Sequence, residues 1–213
     1  MKIEGDLTEL EQTLTRIKRR EKIPAPLRRA EIRMWLVNKY SSIKLSTFRT
    51  RIGWIGVAYN ERGIVTLRLP RHSRAESLAS LQHDFVHAQV VAKAPDKILR
   101  EISEYAAGQR RTFDLKLDWS SLKPFQRAVL EAANKIPFGE TRSYAWIAQQ
   151  IGKPAACRAV GRALATNPIP IILPCHRVLA SDGSLHGYGG GLPLKARLLK
   201  LEGAKPQNRE TTW

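Results

Sequence analysis

Residues 174–178 (PCHRV) place a cysteine, a histidine and an arginine next to one another. A thiol has a reference pKa of about 8.5, so it becomes a good nucleophile only where a base or a positive field favours the thiolate. His176 and Arg177 are candidates for these two roles. Residues 168–173 are predicted to form an extended, buried segment that leads into Cys175. Neighbouring side chains of an extended chain point in opposite directions, so a water molecule would connect His176 to Cys175. The pattern predicts either a reactive cysteine or a buried and inert one.

A second candidate site contains two histidines, His83 and His87, which lie four residues apart on a predicted helix. This spacing can bind zinc, and Asp84 follows the first histidine where the metalloprotease helix has glutamate. Aspartate is one methylene shorter, and the sequence offers no obvious third ligand. We therefore predict no metal site here and interpret both histidines as partly exposed residues of an amphipathic helix.

The chain is strongly basic, with 36 lysines and arginines against 19 acidic residues, a net charge of +17 and a pI of about 10.4. The excess is spread along the chain and is not confined to a tail. Such a field attracts polyanions, of which nucleic acid is the commonest large one. The charge indicates a nucleic-acid partner, and a protein that is merely basic is the alternative.

Composition excludes several classes of protein. The 213 residues, 43% of them hydrophobic, are enough for one domain or two small ones with a real core. No apolar run approaches the length of about 18 residues that a membrane span needs, and residues 1–6 do not resemble a secretory signal. Two cysteines, Cys157 and Cys175, are too few for a disulfide framework or a four-cysteine zinc site. We expect a cytoplasmic monomer.

The patterns predict an α+β fold, in which a small N-terminal antiparallel sheet with helices precedes a mostly helical, winged helix-turn-helix-like C-terminal domain. Alternation over residues 41–69 predicts strands around a turn at 60–63, followed by helices over 74–92 and 96–107. The expected divisions are a helical basic extension (1–39), an N-terminal α/β domain (40–108), a linker (109–122), a C-terminal domain (123–205) and a tail (206–213).

Two short predicted helices, over about residues 143–151 and 155–165, are joined by residues 152–154 (GKP). Two helices around a short glycine-containing turn are typical of a helix-turn-helix. Alone this signal is moderate, because many helical pairs share it.

The PCHRV segment belongs to an ordered series of motifs that covers roughly residues 123–203. The series comprises residues 138–141 (FGET), 143–144 (SY), 158–161 (RAVG), 167–168 (NP), 174–178 (PCHRV), 187–192 (GYGGGL) and 199–203 (LKLEG). In order and spacing it resembles the O6-alkylguanine-DNA alkyltransferases, also called methylated-DNA–protein-cysteine methyltransferases. Residues 41–108 resemble the less distinctive N-terminal domain of that family, and residues 1–39 have no counterpart.

The resemblance implies a DNA repair protein that moves an alkyl group from guanine O6 to Cys175, once per molecule and without a cofactor or metal. It implies a relay in which Glu202 orients His176 and His176 accepts the thiol proton through water. Guanine would leave as its anion, or as the neutral base if Tyr144 lends a proton. The product is a thioether, which does not return a thiolate under mild conditions.

The resemblance also assigns residues to the DNA. The target base must leave the duplex stack, which costs a few kcal/mol, and Arg158 resembles the arginine that fills the vacated space. Tyr144 resembles the tyrosine that crowds the target phosphate. The second helix would enter the minor groove, with Ser143, Ala159 and Gly161 at the DNA surface.

The flipped base is expected to meet mainly backbone groups. By resemblance, the carbonyls of Cys175 and Val178 accept from the exocyclic amine of guanine, and the Gly189 N–H donates towards O6. Many relatives have serine in place of Gly189, but a backbone contact does not need that side chain. Tyr188 adjoins this contact, and Asn167 resembles a hinge residue that braces the turn before the active-site segment.

Three other functions remain as alternatives. A non-catalytic alkyltransferase-like module would bind the lesion without accepting the group, but such proteins carry another residue, often tryptophan, in place of Cys175. A winged-helix transcription factor fits the charge and the helix pair, yet leaves residues 174–178 and Glu202 without a role. A zinc hydrolase built on His83 and His87 ranks last.

Overall fold

The computed structural model describes residues 42–86 and 88–205. The predicted extension (1–39), the predicted tail (206–213) and His87 lie outside the described residues. Along the part of the chain that the structure describes, no helix is both long and apolar enough to cross a membrane.

A four-stranded sheet forms the N-terminal part of the described chain. Strands β1 (Lys44–Thr50), β2 (Gly53–Asn60) and β3 (Gly63–Arg71) are antiparallel, and the short β4 (Gln89–Val90) pairs with β1 in parallel. The spatial order is β3-β2-β1-β4. The predicted turn at 60–63 is present, and a Cβ at Gly63 would lie 2.3 Å from the Lys116 carbonyl oxygen, so only glycine fits there.

Two helices pack with this sheet, α1 (Arg74–Gln82) and α2 (Asp96–Ala106). The prediction of one helix over 74–92 is wrong, because α1 ends at Gln82 and the chain then turns into β4. Arg68 on β3 pairs with Asp84 just after α1, and the Gln89 N–H donates to the Ile43 carbonyl at 3.0 Å. These tertiary contacts redirect the segment.

Because α1 is shorter than predicted, it does not place His83 and His87 on one helix face. His83 follows α1, and the helix that was predicted to carry both histidines ends before either of them. Within residues 42–86 and 88–205, no three side chains of the metal-ligating types come together as a possible metal site.

Residues 109–122 contain no helix and, apart from a single bridge between Ile64 and Leu117, no strand pairing. They are nevertheless not a free tether, since Phe113, Leu117 and Trp119 pack against the core. The division of the chain into domains stays a prediction.

The C-terminal part is mostly helical. Its elements are α3 (Pro124–Asn134), β5 (Arg142–Ser143), α4 (Tyr144–Gln150), a 3₁₀ turn (Pro154–Ala156), α5 (Cys157–Ala165), a second 3₁₀ turn (Cys175–Arg177), β6 (Val178–Leu179) and α6 (Leu192–Leu201). Helices α4 and α5 agree with the predicted helix pair to within two residues at each end. Gly152, at φ +68°, ends the first of them.

Candidate active site

The segment before the cysteine is a tight, buried turn. The prediction of an extended segment over 168–173 is wrong, because the Leu173 N–H donates to the Ile169 carbonyl at 2.9 Å and the chain turns there. The predicted burial holds for residues 169–173, while Pro168 is partly exposed. Pro168 and Pro170 have no N–H to donate, which disfavours a regular strand. Ile171 has φ +75°, a conformation that costs a β-branched residue on the order of 1–3 kcal/mol.

Contacts with β3 and with Asn167 hold this turn. The Pro168 carbonyl accepts from the Leu67 N–H at 2.9 Å and from the Thr66 hydroxyl at 2.8 Å. Asn167 accepts from the Ile169 N–H at 3.0 Å and donates to the Leu173 carbonyl at 2.7 Å. The N-terminal sheet therefore helps to fix the conformation of the segment that carries the cysteine.

Cys175 opens the 3₁₀ turn and is 8% exposed. Burial raises the pKa of its thiol, and the amide of Asn167, which donates to Sγ at 3.1 Å, offsets this only in part. The resting sulfur is therefore a neutral thiol, and it needs a base to become a nucleophile.

Next to the cysteine lies a fully buried His176–Glu202 pair. Nε2 of His176 is 2.8 Å from Oε1 of Glu202, and Arg177 donates to both carboxylate oxygens at 2.8 and 3.0 Å. Burial alone would raise the pKa of Glu202, but its bonds to His176 and Arg177 lower it to about 2. Burial lowers the pKa of His176, although Glu202 opposes the shift. The site thus holds a neutral imidazole beside a carboxylate.

One atom of this pair has no hydrogen-bond partner among the described residues. Nδ1 of His176 is buried and unpaired, while Nε2 faces Glu202. Because Glu202 is ionised and accepts, Nε2 carries the proton and Nδ1 keeps its lone pair. A proton acceptor is therefore available one residue from the thiol.

Sequence reasoning missed two contributors to the site, Tyr105 and Lys195, and gave a third, Arg177, a different role. Tyr105 of α2 donates to Oε1 of Glu202 at 2.7 Å, and Arg177 clamps the carboxylate instead of lending a field to the sulfur. Lys195 is 1% exposed and donates to the Val178 carbonyl at 2.7 Å. Burial lowers the pKa of Lys195 to about 8 against the opposing influence of Cys175. A lysine on the apolar side of a helix was the one signal that the sequence offered.

A cleft that opens to solvent leads to the cysteine. It brings together several of the predicted site residues with apolar residues from both parts of the chain. The lining consists of Leu69, Tyr144, Gly161, Leu164, Ala165, Asn167, Pro170, Cys175, Gly187, Tyr188 and Gly189. His176, Glu202 and Val178 are buried and do not line the cleft.

Four of the predicted DNA-facing residues lie at the starts of α4 and α5, and the fifth, Gly161, lies in the middle of α5. Ser143 caps α4, since its hydroxyl accepts from the Trp146 N–H at 3.1 Å, and Tyr144 is the first residue of that helix. Arg158 is exposed in the first turn of α5, and Ala159 beside it is partly exposed. Tyr144 and Gly161 line the cleft, whereas Ser143, Arg158 and Ala159 do not.

Comparison with known proteins matches this arrangement to one family. A family model described as "6-O-methylguanine DNA methyltransferase, DNA binding domain" covers residues 124–204. A methylated-DNA–protein-cysteine methyltransferase of Methanosarcina barkeri is 42% identical over 151 residues, which are 71% of this chain and 91% of that relative. The chain belongs to the methylated-DNA–protein-cysteine methyltransferase family. The resemblance stated from the motifs is confirmed.

Other members of the family agree. A relative from Mycolicibacterium paratuberculosis is 52% identical over 104 residues, which are 49% of this chain and 62% of that relative, less than two thirds of its length. The crystal structure of Mycobacterium tuberculosis O6-methylguanine methyltransferase is 38% identical, with a TM-score of 0.65 over 78% of this chain and 96% of that one. A Mycobacterium tuberculosis OGT solved in complex with DNA is 40% identical, with a TM-score of 0.65 over 75% of this chain and 92% of that one. The predicted α+β fold is confirmed.

Proposed function

We propose that this protein repairs O6-alkylguanine in duplex DNA by transferring the alkyl group irreversibly to its own Cys175, in a single turnover. One observation carries the proposal: a neutral thiol at an open cleft is followed directly by a buried imidazole whose free nitrogen can accept a proton. Family membership supports the same reaction.

The chemistry requires that the thiol proton leave as the sulfur attacks. Nδ1 of His176 accepts that proton through a bridging water, and Glu202 stabilises the imidazolium that forms. The sulfur attacks the alkyl carbon in line, the S–C bond forms, and the C–O6 bond breaks with its electron pair going to guanine. Guanine leaves as the anion, or as the neutral base if Tyr144 lends a proton. Once Cys175 is a thioether, the protein accepts no second alkyl group.

Access to the alkyl carbon requires that the nucleotide leave the stack. Arg158 is exposed at the start of α5, where a long planar cation can occupy the vacated space and face the unpaired base. Ala159 and Gly161 are small, which permits close approach of α5 to a narrow groove. Tyr144 lines the cleft and reaches towards α5, because a Cβ at Gly161 would lie 3.8 Å from its ring.

Base recognition is assigned to the cleft walls. Gly189 and Tyr188 line it, while Asn167 braces the turn and also donates to the sulfur. Val178 is proposed to accept from the guanine amine through its carbonyl. That oxygen already accepts from Lys195 and Val178 is buried away from the cleft lining, so this contact rests on the family resemblance.

The proposal also covers location, oligomeric state, partner and domain organisation. We place the protein in the cytoplasm as a monomer whose partner is double-stranded DNA containing O6-alkylguanine. The residues present need no cofactor for this reaction, since the lesion itself supplies the alkyl group. The segments 40–108 and 123–205 are proposed as its two domains.

A transfer assay tests the function. Duplex DNA with a labelled O6-methylguanine should label the protein up to one methyl per chain, and Cys175→Ser should abolish labelling. Cys157→Ser is the matched control, because it removes the other cysteine and should leave transfer intact. Tight lesion binding without any labelling of the parent protein would reject the reaction and favour the non-catalytic lesion-binding module.

A further inference from the structure

The Glu202 carboxylate receives more donors than the proposed relay requires. His176, Tyr105 and Arg177 all approach Oε1, while Arg177 and the Gly139 N–H approach Oε2. Arg177 and His176 are close in sequence and belong to the active-site turn. Tyr105 comes from α2, 97 residues away from Glu202, in the part of the chain to which the sequence assigns no chemistry.

Packing fixes Tyr105 independently of the relay. The residue is 0% exposed, and its ring lies 5.3 Å from that of Phe113 and 6.3 Å edge-on from that of Phe138, measured between centroids. Burial and the charge of Glu202 raise the pKa of its hydroxyl well above the ordinary value, so the group stays protonated. The Tyr105 hydroxyl therefore stays protonated, and packing of the ring fixes its position.

This donor constrains the histidine. The Tyr105 oxygen lies 2.7 Å from Oε1 of Glu202 and 3.5 Å from Nε2 of His176, so all three atoms share one small buried site. By donating to Oε1, Tyr105 stabilises the ionised carboxylate and holds it in the position where it accepts from Nε2. The ring proton then stays on Nε2, and the unpaired Nδ1 keeps its lone pair.

We propose that Tyr105 is a positioning residue of the alkyl-transfer site, whose hydroxyl holds Glu202 in the orientation that keeps His176 a base at Nδ1. The inference rests on the proposed function and extends it from the active-site turn to helix α2. It gives the N-terminal part of the chain a direct role in the chemistry, beyond its support of the turn at Pro168.

Tyr105→Phe removes the hydroxyl and keeps the ring. Single-turnover transfer from O6-methylguanine duplex should slow roughly 10- to 100-fold at neutral pH, less than the loss of a general base itself. The deficit should shrink as the pH rises, because the thiol then ionises without help from His176. Affinity for duplex DNA should stay at the parental value.

Phe113→Leu is the matched control, because it disturbs the packing of the same ring without removing a hydrogen bond. It should lower the melting temperature and leave the pH profile of transfer unchanged. A Tyr105→Phe protein that matches the parent at every pH overturns the proposal, and so does one that is slower by the same factor at every pH. If the parent itself transfers no methyl, the proposed function fails instead.

A measurement on the parent chain keeps the proposal testable should the variant not fold. In protein labelled with ¹⁵N-histidine, nitrogen chemical shifts should place the His176 proton on Nε2 at neutral pH. A proton on Nδ1 would overturn the inference.

Discussion

The buried relay of His176, Arg177 and Glu202 and the exposed start of helix α5 differ in solvent exposure and in where their partners lie. At the relay, His176, Arg177 and Glu202 are all at most 6% exposed, and every oxygen of the carboxylate is bonded. On α5, Arg158 is exposed to solvent. The relay is formed in the protein alone, whereas the proposed partners of Arg158 are supplied by bound DNA.

This difference separates two kinds of failure. A fault in the relay should slow transfer from any substrate, because the thiol has lost its base. A fault on α5 should slow transfer only where a nucleotide must be removed from a duplex. Free O6-benzylguanine, which needs no flipping, distinguishes the two.

The largest effect is expected from Glu202→Gln. The variant removes the charge that stabilises the His176 imidazolium, so transfer should fall about 10²- to 10⁴-fold. The same loss should appear with O6-methylguanine duplex and with free O6-benzylguanine, measured as single-turnover rates. A loss confined to duplex DNA would break the proposed division between the two regions.

Acid should weaken the relay region in a defined window. The pKa of Glu202 is lowered from 4.5 to about 2, so its ionised form stabilises the folded state, and this contribution is lost as the pH falls from about 4.5 towards 2. The full contribution is about 3 kcal/mol. His176 acts in the same direction at higher pH, because its lowered pKa means that the unfolded chain binds more protons.

Urea unfolding at several pH values measures this window. The difference in unfolding free energy between the parent and Glu202→Gln should shrink as the pH falls from about 6 to about 3. Asp118→Asn is the useful control, since Asp118 has a pKa that is also lowered to about 2 but lies outside the relay. A difference that stays constant across the range would contradict the electrostatic account of Glu202.

Arg158→Ala should affect only the DNA-dependent step. We expect a cost of about 1–3 kcal/mol in transfer from duplex DNA and no change with free O6-benzylguanine. Arg100→Ala on α2 removes the same charge from another exposed site and should have little effect beyond a slightly weaker salt dependence. Equal losses on both substrates would count against the role of Arg158 in flipping.

Ser143 allows a structural role and a DNA-binding role to be separated, because it both caps α4 and lies at the predicted DNA surface. Ser143→Ala should lower stability by about 1 kcal/mol, measured by thermal unfolding. Ser143→Asp keeps a capping oxygen and should restore stability while weakening DNA binding through repulsion of phosphate. If the aspartate variant binds DNA as tightly as the parent, Ser143 does not face the backbone.

Elements specified by neighbouring residues could be predicted from the sequence. The hairpin around Asn60 and the α4–α5 pair follow from alternation, turn residues and a glycine stop. The helix over 74–92 could not be bounded, because the pairing of β4 with β1 and of Arg68 with Asp84 is decided by tertiary structure. The turn around Ile171 depends in the same way on β3.

The residues of the site also fall into those that the sequence indicated and those that only tertiary contacts reveal. Motif resemblance pointed to Cys175, His176 and Glu202, and the structure brings the last two within hydrogen-bond distance. Tyr105 was missed because nothing in its local sequence distinguishes a buried donor from a core residue, and for Lys195 the sequence offered only a lysine on the apolar side of a helix. The partner of Tyr105 lies 97 residues away and that of Lys195 lies 17 residues away, so the folded structure is needed to reveal both contacts.

The central claim is that the sulfur of Cys175 receives the alkyl group. The most direct test is tandem mass spectrometry of the parent protein after incubation with an O6-methylguanine duplex. The account predicts a single added methyl group, located on the peptide that contains Cys175, with restored guanine in the DNA. Repaired DNA together with an unmodified Cys175 peptide, or a methyl group on another residue, would contradict it.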